Sequence, residues 1–172
     1  TDFALFNNRL NGTVEYYNKS GKDFLSNVMG NPTEGYGYST YRINNGEMNN
    51  KGVEITLSGE IIRTKDFGIS STLIYGYNKN KVTYVNVEAP VYYLQLDYPQ
   101  EYPRIGNPYQ AIYAYKWAGL SAEGLPQVYN EKGEAVSSTP SDLDAIHYAG
   151  TTVPVHSGSF SSSFRYKNFD LS

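Results

Sequence analysis

Cysteine is absent from the 172 residues, which excludes a disulfide framework and any thiolate metal site. Long apolar runs are absent too, and none approaches the roughly 20 residues that a membrane-spanning helix needs. No cluster of Lys and Arg occurs, and a net charge of −3 with a pI near 5.4 argues against a nucleic-acid partner. Histidine is limited to His147 and His156, with no metal-ligand spacing around either. No G-x-S-x-G elbow supports a nucleophilic serine, and the acids Glu131, Glu134, Asp142 and Asp144 lack calcium-loop spacing. These gaps leave no catalytic constellation, no metal site and no cofactor motif, so the chain is not expected to be an enzyme. Leu, Ala and Glu are sparse, which disfavours helix.

What is present is tyrosine, 18 residues of it, beside 16 glycines and many asparagines. Aromatic and β-branched residues suit a pleated, half-buried surface, so the composition predicts an all-β fold. The mean hydropathy of −0.52 looks soluble, but a barrel strand turns only alternate residues to lipid, and its average is polar.

The alternation itself is clearest in Lys51–Ile62. Val53, Ile55, Leu57 and Ile61 are apolar, whereas Glu54, Thr56, Ser58 and Glu60 are polar. After a charged turn at Arg63–Asp66 the pattern resumes with Phe67, Ile69, Leu73, Tyr75 and Tyr77, with Ser71 and Ile74 out of phase. This predicts an antiparallel hairpin over Lys51–Ile62 and Gly68–Asn80, with strands of about 10 to 12 residues, long enough to cross a membrane when tilted. Similar units flank it. Phe6-Asn7-Asn8-Arg9 turns into Leu10, Gly12, Val14 and Tyr16, and Phe160, Phe164 and Tyr166 lead to a turn at Lys167-Asn168. Long connections, about 20–50 and 79–155, separate these units, and the second holds seven of the eight prolines. Short turns at one end and long loops at the other are the asymmetry of an outer-membrane barrel.

Several segments resemble signatures of the SusC/RagA-type TonB-dependent outer-membrane transporters. Asn45-Gly46-Glu47-Met48-Asn49-Asn50-Lys51-Gly52-Val53-Glu54 is similar to the family's motif at the start of a descending strand, and Asn78-Lys79-Asn80-Lys81-Val82 to a strand end. Ile105-Gly106-Asn107-Pro108, Tyr113-Ala114-Tyr115 and Trp117-Ala118-Gly119-Leu120 follow in the family's order, as do Gly124-Leu125-Pro126 and the closing Phe164-Arg165-Tyr166-Lys167-Asn168-Phe169. The resemblance implies a segment of a large barrel of about 22 strands, in the outer membrane of a Gram-negative bacterium. It also implies import of an oligosaccharide or peptide cargo, a SusD-like surface lipoprotein as partner, and TonB acting through a plug and an N-terminal part for which no pattern is found here. Thr1 opening within a patterned segment, and a strand stopping at Ser172, carry the same expectation of a piece of a longer barrel.

On that reading Val53, Ile55, Leu57, Ile69, Leu73 and Tyr75 face lipid and should lie exposed, and Glu54 and Glu60 face the lumen or plug. In a secreted β-sandwich with Tyr-rich loops, the other all-β reading, the same apolar residues would be its buried core. Tyr84, Tyr92, Tyr93, Tyr98 and Tyr102 lie in an insertion stiffened by Pro90, Pro99 and Pro103. They form either a surface for cargo or partner, since Tyr offers a flat face and a hydroxyl at small entropic cost, or a self-packed loop core.

Overall fold

The computed structural model describes residues 1–30, 33, 35 and 40–172. One sheet runs through the chain in the order β1-β2-β3-β4-β10-β11. Its strands are β1 (Asp2–Leu5), β2 (Leu10–Met29), β3 (Thr40–Arg63), β4 (Phe67–Val85), β10 (His156–Tyr166) and β11 (Phe169–Leu171). Two small sheets lie between β4 and β10 in sequence. One pairs β5 (Ala111–Tyr115) with β9 (Ile146–Thr151); the other joins β6 (Trp117–Leu120), β7 (Pro126–Tyr129) and β8 (Ala135–Val136). An α-helix, α1 (Tyr92–Asp97), precedes them. The residues group into two compact units, the first from Thr1–Lys19, Asn50–Lys79 and Pro154–Ser172, the second from Ser20–Asn49 and Asn80–Val153.

In the first unit β3 and β4 are neighbours joined by a tight turn. Thr64 N–H and its hydroxyl both donate to the Phe67 carbonyl at 2.8 Å, and the Phe67 N–H donates back to the Thr64 hydroxyl at 3.0 Å. The hairpin expected at Arg63–Asp66 forms there. The turns at Phe6–Arg9 and Lys167-Asn168 also form, and Phe6, Asn7, Asn8 and Lys167 all adopt positive φ. Antiparallel register sets Phe160 opposite Leu73, Phe164 opposite Ile69, Tyr166 opposite Phe67 and His156 opposite Tyr77. Directly opposed residues share a face, so these apolar side chains form one surface. The other carries Ser163 against Ser70, Ser161 against Thr72 and Arg165 against Gly68, and the Ser58 hydroxyl bonds Thr72 across β3 and β4 at 3.1 Å.

The irregularities in the alternation have local reasons. Ser71 stands opposite Ser162 on the apolar face, and their hydroxyls bond each other at 2.8 Å, so neither is left unpaired there. Ile74 falls on the serine face opposite Ser159 and stays 48% exposed.

Of the six residues expected to lie exposed, Leu73 and Tyr75 are exposed at 42% and 36%, whereas Val53, Ile55, Leu57 and Ile69 are half-buried and none is fully buried. Among the described residues Ile55, Leu57 and Leu73 do not form the buried core that the sandwich reading needs. The strands themselves depart from expectation. β2, β3 and β4 have 20, 24 and 19 residues, and at about 3.3 Å per residue the longest reaches roughly 80 Å. An outer-membrane apolar band of about 25 Å uses a fraction of that. The segments read as connecting loop at 20–50 are therefore strand over Ser20–Met29 and Thr40–Asn50. Ladder hydrogen bonds do not depend on side-chain polarity, so pairing continues where the apolar alternation stops.

Gly52 lets β3 pass under its neighbours: a Cβ there would overlap the Tyr17 ring and lie 2.6 Å from the Tyr77 carbonyl oxygen. At Gly21 the nearest atom to an added Cβ is Met48 Cγ at 3.6 Å, an ordinary contact. Gly52→Ala is therefore expected to destabilise the sheet by about 2 kcal/mol or more, and Gly21→Ala to be neutral. Heat-modifiable gel migration of the full-length protein checks this; equal behaviour of the two variants would contradict it.

Candidate functional site

The second unit joins its strands and helix by irregular segments, and buried backbone groups in those segments must find partners. Asparagine side chains supply many of them. Asn45 is fully buried. Its carboxamide oxygen accepts from Val87 N–H at 2.9 Å, and its nitrogen donates to the Glu101 carbonyl at 3.0 Å. Asn80 accepts from Tyr109 N–H at 2.6 Å, and Asn107 donates to the Tyr113 hydroxyl at 3.2 Å. Val82, fully buried, donates to the Asn107 carbonyl and accepts from Gly106 N–H, at 2.8 and 2.9 Å. Gly46 is required beside them, because a Cβ would overlap the Tyr84 carbonyl oxygen.

A second knot centres on Arg104. Its Nε donates to Gln95 Oε1 at 3.0 Å, and its two terminal nitrogens donate to the Ile146 and Leu143 carbonyls at 2.9 Å. The guanidinium carbon lies 5.3 Å from the Tyr113 ring centroid, and buried Gln95 donates to the Tyr102 carbonyl at 2.9 Å. Fixed planar donors suit this task, which a lysine could not perform. Six residues of α1 are too few to hold a helix alone. Packing holds it: Leu94 joins Ala89 and Tyr102 in one apolar cluster, and Tyr92 and Leu96 lean on Ala111, Tyr113 and Ile146 in another.

This packing sorts the five tyrosines expected at a contact surface. Tyr102 is 2% exposed in the core, so it cannot touch a cargo in this conformation; the proline-stiffened turn after α1 folds it inward. Tyr92 is half-buried and stacks edge-on to Tyr93 at 5.7 Å. Tyr84, Tyr93 and Tyr98 are 52%, 47% and 52% exposed, and they are the ones a ligand can reach. Tyr115 turns its hydroxyl to the Pro140 carbonyl at 2.6 Å, and burial, with Tyr92 nearby, raises its pKa above the ordinary phenol value. It stays a hydrogen-bond donor.

Sequence reasoning passed over a cleft of about 410 Å³ in the same unit, lined by Lys116, Tyr129, Asn130, Glu131, Gly133, Asp144 and His147. Asn130 shapes its rim, accepting from Lys132 and Glu134 N–H at 3.0 and 2.8 Å, and Lys116 Nζ sits 5.6 Å from the Tyr129 ring centroid. The residues are 31 positions apart at the extremes, so no local motif announces them. Among the described residues no group of three His, Cys, Asp or Glu could hold a metal ion. His156 accepts or donates at Nδ1 to the Tyr75 hydroxyl, 2.8 Å away.

The family model for the TonB dependent receptor-like β-barrel matches residues 2–171. Curated relatives include TonB-dependent receptor P3 of Formosa agariphila, 29% identical over 99% of this chain and 18% of that protein. TonB-dependent receptor P39 of the same organism is 37% identical over 47% of this chain and 8% of its own length. Among solved structures, the RagAB peptide transporter superposes with a TM-score of 0.74 at 23% identity, over 98% of this chain and 19% of that one. The RagAB peptide importer in its open-open state gives 0.73, and at these identities the likeness is one of fold. The chain belongs to the TonB-dependent receptor β-barrel family, and it spans about one fifth of the length of the proteins it matches.

Asn45→Ala should leave Val87 N–H and the Glu101 carbonyl without the partners it supplies, a local cost of about 2–6 kcal/mol at roughly 1–3 kcal/mol per unpaired group. Hydrogen exchange of the Val87 amide is expected to speed up in the full-length protein; unchanged protection would show that the carboxamide is not the clamp.

Proposed function

We propose that this chain is a wall segment of an outer-membrane transporter that imports large nutrients, oligosaccharide or peptide, under TonB control. The observation that carries it is the first unit's sheet, apolar and uncovered on one face and lined with serines on the other. Water on both sides would penalise such a face, whereas a bilayer outside and a hydrated lumen inside favour it. Val53, Ile55, Leu57, Ile69, Leu73 and Tyr75 are then the lipid-facing set. Glu60, paired with Arg63 at 3.0 Å, and Glu54 belong to the lumen side. The plug and the TonB-contacting segment lie in other parts of the whole protein. Nothing in the chain's chemistry calls for catalysis.

The long-connection unit is the contact surface of this transporter, for cargo and for a SusD-like surface lipoprotein. Its support is the rigid display of Tyr84, Tyr93 and Tyr98 on a core locked by Asn45 and Arg104. Preorganised aromatic side chains lose little freedom on binding. The runner-up role, a secreted sugar- or peptide-binding module, would need the apolar face buried within the chain.

Replacing Tyr84, Tyr93 and Tyr98 together by Ala in the full-length transporter is expected to lower cargo uptake or lipoprotein association at least tenfold, given about 2 kcal/mol for a true hot spot. Barrel assembly should be unaffected, because all three are exposed. Wild-type uptake and association by the triple variant would remove this surface from the account.

A further inference from the structure

Three of the first unit's features converge at the Phe6–Arg9 turn. The first is a groove of about 410 Å³ lined by Phe6, Arg9, Leu10, Gly59, Glu60 and Ile61. Phe6 and Ile61 are 74% and 61% exposed, and the groove continues the apolar face already described. The second is its floor. Glycine weakens a strand interior and often marks a place where something else approaches. Within this chain Gly59 has no such reason: an added Cβ would meet Leu10 Cδ1 at 3.6 Å and the Arg9 carbonyl oxygen at 3.7 Å, both ordinary contacts. At Gly12 and Gly52 an added Cβ would collide. A methyl group would fit over Gly59 without displacing either neighbour.

The third feature is the cation at the rim. Arg9 donates one hydrogen bond, Nη2 to the Ile61 carbonyl at 3.3 Å. The Glu60 carboxylate, which strand parity assigns to the opposite face, is held by Arg63 at 3.0 Å, and among the described residues no carboxylate pairs with Arg9. Phe6 keeps φ at +54°, a costly conformation for a bulky side chain.

The geometry points to a bound glycerophospholipid: an acyl chain lies over Gly59 between Phe6, Leu10 and Ile61, and the phosphate diester meets the Arg9 guanidinium. The lipid belongs to the leaflet that the short turns face. This assignment rests on the reading of the apolar face as lipid-facing, with which the groove is continuous. It adds a fixed, stoichiometric lipid to a surface otherwise solvated by exchanging ones. An arginine on an anionic phosphate, with an apolar channel leading from it, matches a lipid in both parts.

The test uses the full-length transporter in detergent, titrated with phosphatidylglycerol and read by native mass spectrometry. One lipid per protein should be retained. Arg9→Gln and Gly59→Leu should each weaken retention at least about fivefold, the factor one cation near an anionic lipid supplies, while Lys65→Gln on the neighbouring turn should not. Gly59→Leu places its side chain in the groove beside Leu10, and heat-modifiable migration of that variant separates a loss of lipid from a loss of fold. Equal retention by all variants would overturn the assignment, and so would retention abolished by inorganic phosphate, which would mean an anion site with no acyl chain. A water-soluble maleimide applied to Leu57→Cys in native membranes separates the two layers. Protection there with unaltered lipid retention sinks only this site, whereas ready alkylation sinks the lipid-facing reading itself.

Discussion

Register decides everything else in the first unit. Once Ser71 stands opposite Ser162, strand parity assigns every residue of β4 and β10 to a face, and a slip of one position would exchange Phe160, Phe164, Leu73 and Ile69 with the serines. Two hydroxyl pairs, Ser71 with Ser162 and Ser58 with Thr72, lock opposite faces of the same sheet. Tight turns at one end fix the offset, and Lys167 N–H donating to the Asp66 carbonyl at 2.7 Å ties two of those turns side by side. A membrane cannot solvate unpaired backbone, so a long, continuous ladder is the condition for putting such a face against lipid at all.

The second unit solves a different problem with different chemistry. Where its path leaves the ladders, the side chains of Asn45, Asn80 and Arg104 bond the backbone instead, and Asn107 holds the Tyr113 hydroxyl. Short carboxamides offer a donor and an acceptor in one plane and imitate the peptide group they bond. The result is a rigid platform that buries Tyr102 and leaves Tyr84, Tyr93 and Tyr98 outside. Packing thus sorts the tyrosines, and the fold of the Pro90–Pro103 segment turns Tyr102 inward.

Much of the wall was legible because period-two alternation and turn residues are local signals. Val53 to Ile61 and Phe67 to Tyr77 state their own structure. Strand beyond the alternation was not legible, since Gly, Asn and Tyr at 20–29 and 40–49 read equally as loop. The motifs that carried the family resemblance have physical meanings visible only in three dimensions. Asn45 clamps Val87, Gly46 admits the Tyr84 carbonyl, Gly52 admits the Tyr17 ring, and Asn80 and Asn107 hold the segment after β4. The tyrosine-rich insertion is legible as composition, but the burial of Tyr102 and the cleft between Lys116 and His147, whose residues are distant in sequence, are not.

The central claim is that one face of the β3–β4–β10 sheet meets lipid and the other meets water. Nitroxide labels at positions 72 and 73 of the full-length transporter, placed in native-like bilayers, test it in two adjacent residues. The label at Leu73→Cys is expected to collide freely with oxygen and to be shielded from a water-soluble nickel complex, and the label at Thr72→Cys to show the reverse. Equal access to the nickel complex at both positions, or a Leu73→Cys label protected from both reagents inside a packed core, would contradict the account.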